Sequence, residues 1–230
     1  VLFGYYEWII FAGIFWLGCT AWGAFDIRLG YFLPVIYRQK TTKKYIAITF
    51  DDGPTEFTPK VLDLLKKYKS KATFFCIGKQ IELHTNIAQR IHAEGHQLGN
   101  HSYSHSNSFG FLSAEKVQQE LQQTDLLLQE ITQQQNHYFR PPFGVTNPHI
   151  AKAAKRLNHT VIGWNIRSLD TVIDDENKIL KRITDKIKPG SIILLHDTSD
   201  KTIRVLEQLL LTLQQENYQM VTIHKLLKNE

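Results

Sequence analysis

From Tyr45 onward, short apolar runs of strand length alternate with longer segments in which apolar residues return every three or four positions. Seven runs read as strands: residues 45–50, 72–77, 96–100, 137–140, 160–166, 191–195 and 219–223. Helices are predicted between them over residues 59–69, 80–94, 113–134, 175–187 and 202–215, with another opening at Asn147-Pro148. The helix ends carry local signals. Thr58 before Pro59 opens the first and Gly95 closes the second. Ser113 caps the third, which turns Val117, Leu121, Leu128 and Ile131 inward and many glutamines outward. Regular alternation predicts a parallel sheet with crossover helices. No composition break divides residues 41–230, so the expectation is a single α/β domain, and about seven units point to a barrel, complete or incomplete, rather than an open sheet.

Ahead of that pattern, residues 8–25 carry no charge and are bounded by Glu7 and Asp26. Trp8, Trp16 and Trp22 lie among them, with Tyr5, Tyr6, Tyr31 and Phe32 nearby. This length is about the minimum for a transmembrane helix, with an aromatic belt. The expectation is a hydrophobic membrane-anchor and linker region over residues 1–40. A cleaved signal peptide fits less well, because a basic leading segment is absent. Arg28, Arg38, Lys40, Lys43 and Lys44 follow the span, which by the positive-inside tendency argues against export of the C-terminal domain. The chain begins at Val1 rather than Met, and an upstream basic segment or second span would reverse that orientation.

Composition adds little that alters this picture. Hydrophobic residues make up 43% of the chain, enough for a sizeable core, and the net charge of +5 suits an anionic surface such as a membrane or cell wall. No finger motif or aromatic-spaced basic stretch points to nucleic acid, which is not an expected partner. Cys19 and Cys76 are the only cysteines, which excludes a disulfide framework. Oligomeric state is left open.

The polar residues that interrupt the pattern fall at the C-terminal ends of predicted strands, where α/β barrels build their sites. Asp51 and Asp52 follow the first strand within Thr49-Phe50-Asp51-Asp52-Gly53-Pro54. Adjacent carboxylates raise each other's cost of ionisation unless a cation or a proton transfer uses them. His101 and His105 follow the third strand, four residues apart, a spacing that on a helical turn places both imidazoles on one side. With a carboxylate from Asp51 or Asp52 they make a two-His, one-carboxylate set. Such donors suit Zn²⁺ and also accept Co²⁺, Mn²⁺, Ni²⁺ or Fe²⁺, and serve hydrolysis or oxygen chemistry alike. Arg140 follows the fourth strand in Arg140-Pro141-Pro142-Phe143-Gly144, Asp170 the fifth, and His196 the very apolar sixth.

Together these motifs resemble the polysaccharide deacetylase family, carbohydrate esterase family four, also described by its chitooligosaccharide-deacetylase homology domain. The resemblance runs from about Tyr45 to Leu227 and rests on Thr-Phe-Asp-Asp-Gly at 49–53, His-Ser-Tyr-Ser-His at 101–105, Arg-Pro-Pro-Phe-Gly at 140–144 and Leu-Leu-His at 194–196. It implies a distorted (β/α)7 barrel and metal-dependent removal of N-acetyl or O-acetyl groups from a glycan of the cell envelope. By the family pattern Asp51 is the general base, Asp52, His101 and His105 hold a divalent metal, Zn²⁺ by first expectation, and His196 is the acid. Arg140 would pair with Asp51, and the Pro142-Phe143 turn would offer a backbone N–H to the oxyanion. One motif departs: Arg167-Ser168-Leu169-Asp170-Thr171 stands where relatives commonly have Asp-x-x-Asp-Trp. Arg167 replaces an Asp expected to orient the histidine, and Thr171 replaces a groove-lining Trp. The expectation is that Asp170 orients His196 while Arg167 points elsewhere or meets an anionic group of the substrate.

Overall fold

The structure, a computed structural model, describes the backbone of residues 2–228 and the side chains of residues 6–228. Its strands are β1 (Val35–Ile36), β2 (Tyr45–Asp51), β3 (Ala72–Cys76), β4 (Gln97–Asn100), β5 (Tyr138–Phe139), β6 (Thr160–Ile162), β7 (Ile166–Arg167), β8 (Ile192–His196) and β9 (Gln219–Met220). Helices α1 (Leu2–Phe25), α2 (Thr58–Lys67), α3 (Gly78–Leu83), α4 (Thr85–Ala93), α5 (Ala114–Thr132), α6 (Pro148–Arg156), α7 (Glu176–Thr184), α8 (Asp200–Gln215) and α9 (Ile223–Lys228) separate or flank them. All strand pairs are parallel, in the order β1-β6-β5-β4-β3-β2-β8-β7, with β9 added at the start of β2. Strands β6 and β7 lie far apart in that order yet only residues 163–165 join them. The sheet must therefore curl back on itself, which gives the expected distorted barrel.

Side-chain alternation along the strands separates two cores. Ile46, Ile48 and Phe50 of β2 face outward and pack with Val61, Leu62 and Leu65 of α2 and Leu206, Leu209 and Leu213 of α8. Ala47 of β2 belongs with Phe75, Phe139, Ile192 and Leu194 in the inner core. The same period of two carries Asp51 and His196 to the inner face, and β2–β8 register makes these two residues direct partners. Chemistry at this rim is thus a consequence of strand parity.

Several expected boundaries shift for identifiable reasons. The strand expected over 160–166 is two, because Gly163 to Asn165 lets the chain leave β5 and cross to β8. The helix expected over 80–94 breaks at His84, whose φ of −130° and ψ of 43° are not helical. Ile223, expected in the last strand, starts α9 instead. Strand β1 has no counterpart among the expected strands. Its two residues pair with Val161 and Ile162, too short a stretch to leave a periodic signal.

Helix α1 differs from every other helix in where its apolar side chains go. Residues 6–25 form a 20-residue segment of mean hydropathy 1.6, apolar on all sides, and Trp8 is 72% exposed. This is the candidate anchor. The segment from Ile27 to Gln39 is packed on the barrel: Ile27 and Leu33 are buried, and Gln39 N–H donates to Gly190 O at 2.9 Å.

Candidate active site

The C-terminal rim of β2 makes a sharp exit. Asp52 adopts φ 74°, a left-handed conformation disfavoured for a residue with a Cβ, immediately after the buried Asp51. Beyond β4, Ser102 (φ 64°) and His105 (φ 47°) do the same, and Phe143 (φ 59°) does so after β5. Such strain persists where surrounding contacts over-determine the chain, and its concentration around one rim marks a functional site. It also corrects the expected geometry of the histidine pair. Residues 101–105 form no helical turn; two left-handed residues, not a helix face, bring the imidazoles together.

His101 is fixed first. Its Nδ1 lies 2.7 Å from Arg140 O, which as an acceptor requires the proton on Nδ1 and leaves Nε2 to face the carboxylates. That Nε2 is 3.5 Å from Asp52 Oδ1 and 3.7 Å from Asp51 Oδ2, while His105 Nε2 is 3.4 Å from Asp52 Oδ1. Donor atoms of Asp52, His101 and His105 all fall within 4.8 Å of one another. Two ligands about 2.1 Å from a tetrahedral centre stand about 3.4 Å apart, so the three residues fit a divalent metal. Burial disfavours an imidazolium at His101, but Asp51 and Asp52 outweigh it and raise its pKa. At Asp52, burial works against ionisation, yet the hydrogen bond and charge of His101, with His196 and His105, hold the carboxyl down to about 2. Burial and the neighbouring His101 together lower His105.

Arg140 is entirely buried, and its partners account for its charge. Its Nη1 donates to Asp51 Oδ1 and Thr49 Oγ1, both at 2.7 Å. Its Nε and Nη2 donate to Ile162 O and Gly163 O at 3.1 and 2.9 Å, across the break between β6 and β7. The guanidinium carbon sits 4.2 Å from the centroid of the Phe75 ring and 5.5 Å from that of Trp164. A buried guanidinium so satisfied is a permanent positive charge beside Asp51.

His196 is held from its other nitrogen. Asp170 Oδ1 lies 2.9 Å from His196 Nδ1, and Asp170 Oδ2 accepts the His196 backbone N–H at 2.8 Å. Ser168 Oγ and Thr202 Oγ1 donate to the same carboxylate at 2.6 and 2.9 Å. His196 Nε2 then points toward Asp52 Oδ2, 4.0 Å away. Burial opposes the charged imidazole, but Asp170 foremost, with Asp51 and Asp52, raises it to about 9. Arg167 is exposed; its carbonyl accepts from Arg182 Nε at 2.9 Å, and nothing places its side chain against His196. Phe143 stands at the mouth, half exposed, with its ring 4.7 Å from that of His105, and the preceding Pro142 is buried.

Asp51, Asp52, His101, His105, Arg140, Asp170 and His196, with Pro142 and Phe143, therefore gather at one rim, whereas Arg167 and Thr171 are exposed. Supporting residues were missed. Thr49, Ser168 and Thr202 look like ordinary strand, loop and helix residues, and only their partners reveal their part. Asp197 had a faint signal, as the second residue of Leu-His-Asp. It is fully buried, its Oδ1 lacks a partner, its Oδ2 accepts from Thr58 Oγ1, and burial pushes it up to about 7.

Comparison with known proteins places this rim in context. Residues 38–162 match the polysaccharide deacetylase family. The chain is 33% identical over 203 residues to a peptidoglycan-N-acetylglucosamine deacetylase of Bacillus cereus, covering 84% of this chain and 93% of that protein. It is 33% identical over 196 residues to the peptidoglycan-N-acetylmuramic acid deacetylase PdaA of Bacillus subtilis, covering 83% of this chain and 74% of the relative. Its fold superposes with a TM-score of 0.78 on a CE4 family pseudoenzyme from Bacillus anthracis, at 30% identity over 84% of this chain and 69% of the other.

Proposed function

The chain belongs to the polysaccharide deacetylase family, and from that premise we propose that it hydrolyses the N-acetyl or O-acetyl groups of a cell-envelope glycan, peptidoglycan first among them. The observation that carries this reading is the convergence of Asp52, His101 and His105 beside two separately held acid–base groups, Asp51 and His196. Asp52, His101 and His105 would hold a divalent metal, Zn²⁺ by first choice, with Co²⁺, Mn²⁺, Ni²⁺ or Fe²⁺ also suited to the donors. Bound there, such an ion would lower the pKa of water toward about 7 and polarise the acetyl carbonyl.

Each remaining step belongs to the chain. Asp51 accepts the proton of the attacking water, and the hydrogen bond from Arg140 keeps its carboxylate aimed. The left-handed turn at Phe143, directly after Pro142, offers its N–H to the oxyanion of the tetrahedral intermediate. His196, held protonated by Asp170, gives its Nε2 proton to the departing amine or alcohol. Arg167 and Thr171 leave the groove without the carboxylate and the aromatic platform that relatives commonly have. We assign residues 1–40 to the anchor region, whose stretch 27–39 packs on the barrel and lends it β1, and 41–230 to the catalytic domain. Helix α1 lies in the membrane and, against the positive-inside tendency of the basic residues that follow it, the catalytic domain faces the cell envelope where such a glycan lies.

The test is acetate release from acetylated chitooligosaccharides and from peptidoglycan, before and after chelation and re-addition of Zn²⁺, Co²⁺ or Mn²⁺. Activity that disappears on chelation, returns with metal and falls about 10²–10⁴-fold in Asp51→Asn supports the reading. A folded, metal-loaded protein that binds these glycans and releases no acetate would overturn it in favour of a glycan-binding role.

A further inference from the structure

The end of α1 is fastened to the active-site rim. A helix leaves its last carbonyls without internal partners. Here Thr146 supplies them: its N–H donates to Ala24 O at 2.9 Å and its Oγ1 to Gly23 O at 3.4 Å. Gly23 is also where the ring of Tyr31 presses on the helix, so closely that a Cβ would collide with it. Ile27, one residue past Asp26, is 2% exposed and joins the inner core with Trp164 and Ile162. No free linker separates the apolar helix from the barrel.

Thr146 lies three residues beyond Phe143, whose ring touches His105. Three residues of chain span at most about 11 Å. The 20 residues of α1 from Tyr6 to Phe25 are about 30 Å long, the thickness of a bilayer's hydrocarbon core, which puts Phe25 at its edge. Around this exit the barrel presents Leu29, Tyr31, Phe111 and Phe143, exposed by 47%, 49%, 91% and 51%. Phe111 follows Gly110, whose carbonyl accepts from Asn147 Nδ2 at 2.6 Å, next to Thr146. Exposed apolar side chains continuous with an apolar helix fit a lipid surface rather than water.

We propose that the catalytic rim is held at the bilayer surface, so that the substrate is an acetylated glycan carried at that surface on a lipid, not polymer remote from the membrane. This rests on the deacetylase reading. A rim fixed within the headgroup layer meets membrane-borne sugars at high effective concentration. Distant polymer lies beyond its reach.

The full chain is reconstituted in phosphatidylethanolamine–phosphatidylglycerol vesicles. Acetate is measured from tetra-N-acetylchitotetraose carrying a prenyl-type lipid tail in the same vesicles, and from the untailed sugar in solution. A variant with fifteen Gly/Ser residues inserted between Trp22 and Gly23, ahead of the carbonyls that Thr146 holds, frees the rim while keeping the apolar helix as anchor. The expected result is preference for the tailed sugar, reduced about tenfold or more by the insertion, with untailed turnover retained. Equal use of both sugars, or a preference untouched by the insertion, would overturn the proposal and leave the deacetylase reading standing. Acetate from neither would overturn both. A nitroxide on Phe111→Cys in a Cys19→Ser background gives a second reading: contact with lipid-soluble relaxers is expected and should be lost on insertion.

Discussion

Asp51–Arg140 and Asp170–His196 are both buried acid–base pairs adjoining Asp52, and they differ in whether the cation can give up its proton. Arg140 cannot. It is enclosed by two carbonyls, a hydroxyl and two aromatic faces, and its fixed positive charge is held against Asp51. His196 can, and Asp170 raises its pKa without removing its proton from exchange. One pair stores a charge and the other stores a proton. A site that must first take a proton from water and then give one to a leaving group needs both kinds.

Removing the fixed charge should do most damage. Arg140→Met leaves Asp51 buried without its partner, a change that costs about 3–5 kcal/mol when one member of a buried pair is lost. Urea denaturation should show this, together with loss of acetate release. His196→Ala removes the mobile proton alone. Turnover should fall about 10²–10⁴-fold while metal affinity, measured by competitive chelation, stays near the parent value.

Asp170→Asn acts through the histidine. In the metal-free parent, His196 NMR signals should titrate near pH 9, and in the variant at clearly lower pH. The same shift sets the sign for stability. Because the folded value lies above the ordinary histidine value of 6.5, the pair's contribution is full below that pH and is lost as pH rises through about 9. Asp170 itself is lowered, burial notwithstanding, mainly by His196, so its share is lost again as pH falls through its depressed value. The variant should lack both dependences. Arg167→Asp should do least. An exposed residue away from the pair changes stability by no more than about 0.5 kcal/mol, and a large change in the His196 titration would show that Arg167 belongs to the pair after all.

Much of this site was legible in the chain because a parallel α/β pattern is periodic and its motifs are local. Strand parity and a run such as Ile192–His196 suffice to put a histidine on a rim with Asp51. Other features exist only in three dimensions. That Asp170 rather than a residue at 167 meets His196 depends on how the chain turns at Leu169, φ 61°, and on Thr202 arriving from α8. The meeting of His101 and His105 depends on left-handed residues that no spacing rule contains. Strand β1 and the fastening of α1 by Thr146 depend on contacts between segments more than a hundred residues apart. Local preference and hydrophobic period, both written in the chain, were enough to set the alternation, the apolar helix and the residues offered to the rim. Which of those residues touch was settled by the folded arrangement, because hydrogen bonds and buried charges depend on register between distant strands, which local preference does not encode.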